Sequence, residues 1–466
     1  MLLRYFYDEK LAHASYMVAC QATGEAMVID PMRHIDPYLK VAKEEGFKIT
    51  GAVETHIHAD FVSGSRELAH HCGSTLYLSD EGGEDWSYKN LDGLNVQLLK
   101  DGDTFRIGKV KFDVVHTPGH TPESLSFLLT DEGGKADEPM GIFTGDFIFV
   151  GDIGRPDLLE KAAGVKDSSR KGAEDMFRSI QNSKEYADFL QVWPAHGAGS
   201  ACGKSLGAVP SSTIGYERRF NWAFLNNQKE AFIDKLLDGQ PEPPHYFAQM
   251  KKVNKEGPAL IRSLPEIHLF HSYQELDQLL TGETQVIDIR PSIDYAQKHI
   301  HGTINIPLNK GFANWAGWLV EYEKPLCIIG HVQDLEEVRT ALYSIGADTF
   351  MAFGDIDRLL AVAPTAESYR NVEPKEVVEE VDGQQINVLD VRTKAEWNEG
   401  HIMGAQHIML GDLPDQIHSV NHDKPLMVQC GSGVRSAIAT SILQANGIHD
   451  VLNQRGGYAR WIHDTE

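Results

Sequence analysis

Past residue 265 the sequence repeats itself. VIDIRPSIDYAQKHIHGTINIPL, from Val286, runs in step with VLDVRTKAEWNEGHIMGAQHIML, from Val388, an offset of 102 (388 − 286). KPLCIIG from Lys324 is answered by KPLMVQC from Lys424, an offset of 100 (424 − 324). Solenoid repeats are only about 20 to 50 residues long, so a period this large means a duplicated domain. Two copies of one small α/β domain are therefore expected over 266–365 and 370–466, behind a different domain over 1–262. The Pro-rich stretches GQPEPPHY and EGPALIRSLPEI, within residues 239 to 265, read as a connector, and a second boundary is expected near 362–374.

A chain of 466 residues fits this three-domain division at roughly 150 residues per domain. The formal charge of 43 − 67 = −24 argues against a nucleic-acid or anionic-membrane partner, since those surfaces need clustered Lys and Arg. The opening MLLRYFYDEKLAHASY has no long apolar run behind a basic start, and no later segment approaches the roughly 18 apolar residues of a membrane span. A cytoplasmic location is expected. Five cysteines, Cys20, Cys72, Cys202, Cys327 and Cys430, form no CxxC pair, which fits free thiols better than a disulfide framework.

In the first half, the β-rich runs GEAMVIDP, FKITGAVET, KVKFDVVHT, GIFTGDFIFV and LQVWPAH each finish near Asp, Thr or His. That layout is α/β with chemistry at strand ends. ETHIHADFVSG puts His56, His58 and Asp60 on alternate positions, where extended chain turns them to one face. HTPGHTPES adds His116 and His120, FTGDF adds Asp146, and WPAHG adds His196. Imidazole and carboxylate donors recurring at several strand ends point to a metal.

The ordered set HxHxD, PGHT, TGD and PAHG resembles the metallo-β-lactamase superfamily, which implies an αββα sandwich with a metal at one edge. Its dinuclear zinc hydrolases read HxHxDH, and here the last histidine is Phe61. A phenyl ring offers no lone pair, so a mononuclear site is expected. Within the superfamily the pattern resembles the persulfide dioxygenases. That resemblance implies one Fe(II) per chain held by His56, His120 and Asp146, a two-His, one-carboxylate triad with open positions. His58, Asp60 and His196 would then orient ligands and bound water. Phe61 either excludes a second metal and dries one wall, or only packs the loop.

GDIGRPDL also resembles this family: Arg155 is expected to neutralise an anionic persulfide or to pair with Asp157 and hold the loop. Tyr216 and Arg218, in GYERRFNW, are further substrate-contact candidates. Cys202, six residues after His196, is either a small buried hydrophobe or a participant in sulfur exchange if its thiolate is stabilised. Cys20 and Cys72 read as structural.

In the last copy, KPLMVQCGSGVRSAIAT ends a strand at Cys430, turns through Gly431, Ser432, Gly433 and Val434, and after Arg435 starts a helix with SAIATSIL, from Ser436. Backbone N–H groups and a helix N-terminus aimed at sulfur favour its thiolate. With DVR (Asp390 to Arg392), EGHIMGA and GGYARW, this resembles the rhodanese sulfurtransferases. The four-residue loop GSGV is shorter than the oxyanion cradle of phosphatases and suits a persulfide on Cys430, the expected nucleophile, beside the positive Arg435. The middle copy has Gly330 where Cys430 stands and Cys327 within its strand, so it is expected to be catalytically silent and architectural. The combined resemblance implies oxidation of low-molecular-weight thiol persulfides with O2 to sulfite, coupled to sulfur transfer that forms or uses thiosulfate, in a homo-oligomer. Two other readings are a zinc thioester hydrolase with accessory rhodanese domains, and a non-catalytic sulfur-delivery module.

Overall fold

A computed structural model describes residues 1–158, 160 and 168–465. It separates into two compact units, residues 1–264 with 343–346, and residues 265–342 with 347–466.

The first unit is built on two six-stranded sheets. One runs in the order Leu2–Asp8, His13–Cys20, Glu25–Ile29, Lys48–Val53, Thr75–Ser79 and Val96–Leu99; the other contains Thr104–Ile107, Val110–His116, Leu125–Asp131, Gly141–Gly145, Gln191–Pro194 and Ser212–Thr213. The strand His13–Cys20 is buried throughout because both its faces are covered. Ala14, Tyr16 and Val18 face the second sheet, meeting Phe112, Phe127 and Phe143, whereas Met17 and Ala19 pack with Tyr38 of the helix Asp36–Glu45. Ile142 and Val192 on the outer face of the second sheet pack with Ala173, Met176 and Ile180 of the helix Ser168–Ser183. The layers are helix, sheet, sheet, helix, the αββα sandwich expected from the motifs. Deleting one of its central rings costs about 3–5 kcal/mol, so this aromatic core fixes the spacing of the sheets and of the loops at their edge.

Two features bring those loops together. Gly141–Gly145 pairs in parallel with Gln191–Pro194, so Asp146 and His196 leave adjacent strands at the same edge. Gly145 has φ +53°, and a Cβ there would lie 2.4 Å from the Thr55 hydroxyl, so only glycine lets the two loops approach. The Pro-rich connector is not a bare linker. It carries the helix Tyr246–Glu256, with Tyr246, Phe247, Met250 and Asn254 buried in the first unit.

The second unit contains two five-stranded sheets, all pairings parallel, with the same strand order. In the first copy the order is His268–Phe270, Phe350–Asp355, Leu326–Gly330, Gln285–Asp288, Ile304–Asn305; in the second it is Arg370–Val372, Val451–Gln454, Leu426–Gln429, Asn387–Asp390, Gln406–His407. The repeated Asp-x-Arg is a buried ion pair in both: Arg290 Nη2 lies 2.6 Å from Asp288 and Arg392 Nη2 lies 2.7 Å from Asp390. Each guanidinium also donates to a loop carbonyl, that of Lys298 or Gly400. Among the described residues, no helix is long and apolar enough to cross a membrane.

Candidate functional site

The loop after Lys48–Val53 is pinned from several directions. Glu54 accepts hydrogen bonds from the hydroxyls of Ser63, Ser65 and Tyr88. Ile57 N donates to Glu123 Oε1 at 2.8 Å. Asn254 of the connector helix donates to the carbonyls of His58 (2.8 Å) and Phe61 (2.7 Å) and accepts from Ser63 N (2.9 Å).

On this frame, donor atoms of His56, His120 and Asp146 lie within 4.8 Å of one another, all three side chains buried. His120 Nε2 is 3.4 Å and His56 Nε2 3.9 Å from Asp146 Oδ2. The tautomers follow from the partners. The single Thr55 hydroxyl proton goes to Asp30 Oδ2, so His56 Nδ1 must donate to Thr55 Oγ1, at 2.9 Å. His120 Nδ1 faces the Arg155 carbonyl at 2.9 Å and His196 Nδ1 the Ala12 carbonyl at 3.2 Å, acceptors only. All three rings therefore carry hydrogen on Nδ1 and present an Nε2 lone pair to the carboxylates. His56 Nε2, His196 Nε2 and both oxygens of Asp60 and of Asp146 are buried without a hydrogen-bond partner. Burial, then neighbouring histidines, holds His56 well below the ordinary imidazole range, and burial also lowers His120. Neutral nitrogens and orphaned carboxylate oxygens converging on one point fit a cation.

The remaining first-unit residues divide. Asp60 and His196 join Cys202 in a second buried trio whose donor atoms also lie within 4.8 Å of one another. His58 turns the other way: its Nε2 is 3.1 Å from Asp30 Oδ1, and although burial opposes its charge, Asp30 raises its pKa to about 9. It steadies Asp30, and through Asp30 and Thr55 it orients His56. His116 donates to the Pro122 carbonyl and is not part of either trio. Phe61 is buried between His13, ring centroids 3.8 Å apart, and His58, 4.4 Å apart.

Arg155 takes the second of its two expected roles. It is fully buried, bidentate to Asp157 at 2.7 Å for each bond, and donates to the carbonyls of Pro241 and Ala201. Such a cation holds loops and is closed to an anionic substrate. Tyr216 is half exposed against Phe220, and Arg218 is taken up by Asp188 and the carbonyls of Lys184 and Tyr186, so neither is placed for substrate contact. The surroundings of Cys202 work against the condition attached to it: burial, then Asp146 and Asp60, pushes its thiol well above the ordinary range.

In the second unit Cys430 is fully buried at the end of Leu426–Gln429. Its sulfur accepts from Gly433 N at 3.0 Å and lies 3.5 Å from Ser436 Oγ. Gly433, at φ +98°, turns the chain into the helix Val434–Ala445. Ser432 and Val434 are exposed and Gly431 is half-buried, so the loop offers a solvent-facing rim over a buried sulfur. Arg435 is bidentate to Glu396, at 2.7 and 2.6 Å, so its charge reaches the loop as half of an ion pair. Gly457, φ +66°, backs the loop so closely that a Cβ would fall 2.1 Å from the Gly431 carbonyl carbon, which explains the GGY of the C-terminal motif. In the middle copy a Cβ on Gly330 would meet Ile289 at 2.6 Å, and in the last copy the position that matches Ile289 in sequence is Val391. Cys327 is buried in its strand, as expected.

The Lactamase_B model of the metallo-beta-lactamase superfamily matches residues 9–187, and the rhodanese-like domain model matches residues 373–464. A crystal structure titled as a metallo-beta-lactamase from Staphylococcus aureus subsp. aureus COL superposes with TM-score 0.69 and 46% identity, covering 76% of this chain and 98% of that one.

The chain belongs to the metallo-beta-lactamase superfamily.

Two relatives of this superfamily member carry different activities in their names. Human mitochondrial persulfide dioxygenase ETHE1 is 30% identical over 168 residues, 35% of this chain and 59% of that protein, so the chain spans little more than half of that relative's length. A hydroxyacylglutathione hydrolase of a Polaromonas species is 30% identical over 266 residues, 52% of this chain and 94% of that one. In a fold shared by such relatives, the residues around the metal decide the chemistry.

Several residues that support the two sites were not singled out by sequence. Asp30 and Thr55 set the His56 tautomer, Asn254 comes from the connector, and Glu396 pairs with Arg435. His13 is fully buried, both ring nitrogens without a hydrogen-bond partner. Asp30 and Thr55 left a signal, ending GEAMVID and FKITGAVET like the other strand ends.

Proposed function

We propose that the first unit is a non-heme Fe(II) persulfide dioxygenase and that residues 370–466 form an active rhodanese domain that moves sulfane sulfur through Cys430. His56, His120 and Asp146 would hold the iron, and when bound it supplies coordination positions at which a persulfide and O2 are activated together. The observation that carries the reading is the triad itself: two imidazoles locked with Nε2 free, an orphaned carboxylate, and Phe61 where dinuclear zinc hydrolases place a further nitrogen ligand. The likeness to a persulfide dioxygenase supports it. The overall reaction, RSSH + O2 + H2O → RSH + H2SO3, balances without an added reductant.

The chain's own groups do the rest. Asp30, held by His58, keeps Thr55 and His56 in place. Phe61 against His13 keeps water from one wall, and Asp60 and His196 offer a carboxylate and an imidazole beside the triad. At Cys430, the thiolate attacks the outer sulfur of a persulfide and the thiol of the carrier leaves. Sulfite then attacks the sulfur held on Cys430 to give thiosulfate, with the Gly433 N–H and the helix N-terminus stabilising the negative sulfur. Residues 266–365 are a degenerate rhodanese-like copy. Its Asn305 N donates to Ser441 of the helix that follows the Cys430 loop, at 2.8 Å, so it braces that helix.

The hydrolase-like relative favours a second reading, a zinc thioester hydrolase. Product analysis on the iron-loaded chain tests both. Persulfide should yield sulfite plus thiosulfate, with Cys430→Ser abolishing thiosulfate and leaving sulfite. Thioester hydrolysis without sulfite would replace the dioxygenase.

A further inference from the structure

We propose that Glu367, His301 and His449, with His299 behind them, bind one zinc-type dication at the seam between the two rhodanese-like copies of the second unit. The site shares no residue with the iron triad or the Cys430 loop, and it rests on neither proposed activity.

Glu367 lies in the chain between the copies, after the helix Ile356–Val362 and before the strand Arg370–Val372. Its backbone is fixed from both sides. His299 N donates to the Glu367 carbonyl and Glu367 N to the His299 carbonyl, each at 2.9 Å, while Tyr369 N donates to the Ala296 carbonyl at 3.0 Å. From the second copy, Gln444 Nε2 donates to the Ser368 carbonyl at 3.1 Å. The Glu367 carboxylate is thereby set among imidazoles. His301 Nδ1 is 3.0 Å and His449 Nδ1 3.5 Å from its Oε1, and His299 Nε2 is 3.7 Å from its Oε2. His299 and His301 follow the first copy's helix Ser292–Gln297, whereas His449 precedes the second copy's strand Val451–Gln454. One ion would therefore tie both copies to the chain that joins them.

His299 shows what this place accepts. Its ring stacks on Tyr295, centroids 3.9 Å and planes 8° apart, and its Nδ1 faces the Tyr295 carbonyl, an acceptor only, at 2.8 Å. The hydrogen is therefore on Nδ1, and burial holds the ring below the ordinary imidazole range. That leaves an Nε2 lone pair facing Glu367 Oε2, and both atoms are buried without a hydrogen-bond partner. Two buried acceptors that face each other are stabilised by a cation between them.

The spacing and the donors select the ion. Ligands about 2.0–2.1 Å from a tetrahedral ion lie about 3.3 Å from one another, and the three nitrogen-to-oxygen separations bracket that value. The rings of His301 and His449 are 6.2 Å apart between centroids, about 1 Å more than two imidazoles on one such ion. Their side chains are 60% and 53% exposed, so they can close the gap by turning, with the backbone in place. Imidazole nitrogens with one carboxylate suit zinc, nickel or copper rather than calcium or magnesium. On binding, the hydrogen that His301 Nδ1 donates to Glu367 passes through water to Nε2, so the ring stays neutral and nothing is oxidised or reduced.

The test titrates zinc into full-length, iron-loaded protein under anaerobic conditions, in competition with a chromophoric chelator, and then measures iron and zinc per chain. One zinc should bind with the iron retained. Its affinity should fall at least about tenfold in His449→Gln, which alters an exposed side chain, and in Glu367→Gln, and stay unchanged in Cys202→Ser. Amide exchange at Glu367 and Tyr369 should slow when zinc is added to wild type and not when it is added to His449→Gln. Zinc that enters only as iron leaves, an affinity unmoved by either seam substitution or lowered by Cys202→Ser, or exchange at Glu367 and Tyr369 indifferent to zinc would overturn the proposal.

Discussion

Asn254→Ala should loosen the metal loop although residue 254 holds no ligand. The side chain is 3% exposed, and its three hydrogen bonds, of 2.7 to 2.9 Å, satisfy Ser63 N and the carbonyls of His58 and Phe61. Truncation leaves one buried N–H and two carbonyls without that partner, at about 1–3 kcal/mol for each group that water cannot reach. Allowing for relaxation, local opening of residues 54–65 should become easier by about 3 kcal/mol, close to a hundredfold in exchange rate at about 1.4 kcal/mol per factor of ten. The assay is amide hydrogen exchange across this segment, read with iron content. Faster exchange at Ile57 and Ser63 and lower iron retention are expected, with Asn254→Asp intermediate because it keeps the acceptor for Ser63 N. Unchanged exchange, with an unfolding free energy within about 0.5 kcal/mol of wild type, would refute the claim that the connector helix clamps the loop.

Glu396 is half-buried; burial pushes its carboxyl up, but the two hydrogen bonds and charge of Arg435 outweigh that and hold it at about 2. Its stabilisation is therefore present above the ordinary value of 4.5 and lost as pH falls through about 2. Discounted for exposure it is worth about 1 kcal/mol, so Glu396→Gln should flatten the acid limb of unfolding and slow sulfur transfer from Cys430. Glu123 has the opposite sign: burial raises its carboxyl from 4.5 to about 7 despite the Ile57 N–H bond, so the folded chain holds a proton that the unfolded chain has released. Stability should fall as pH rises from 4.5 through about 7, and Glu123→Gln should remove that slope in pH-dependent unfolding of the first unit. Gly330→Cys should not create a second sulfurtransferase site: its Cβ would lie 2.6 Å from Ile289, costing about 1–3 kcal/mol in thermal or chemical unfolding, and adding Ile289→Val should recover part of that loss.

The sandwich was legible because its strands are apolar runs that end in ligand-type residues, a pattern carried by short local stretches. The duplicated fold was legible because its Asp-x-Arg strands and loops recur at a constant offset. What escaped sequence reading acts across long separations. Asn254 reaches His58 and Phe61 from a helix almost two hundred positions away, inside a segment whose prolines resemble a linker. Glu396 and Arg435 lie 39 positions apart, with nothing in either motif to name the other. Arg155 was ambiguous because a cation beside a substrate and one locked to a neighbouring aspartate read the same in GRPD, and only complete burial separates them. Cys202 was noticed for its neighbourhood, but its place with Asp60 and His196 depends on how the loops after Lys48–Val53 and Gln191–Pro194 meet.

The most direct test of the central claim is oxygen uptake by anaerobically purified, iron-loaded protein supplied with a glutathione or coenzyme A persulfide, comparing wild type with Asp146→Ala. Uptake of one O2 for each persulfide oxidised to sulfite, with one further persulfide consumed without O2 for each thiosulfate formed, and both products lost in the variant, is the predicted result. Absence of uptake with either persulfide, alongside stoichiometric zinc and thioester hydrolysis, would contradict the account.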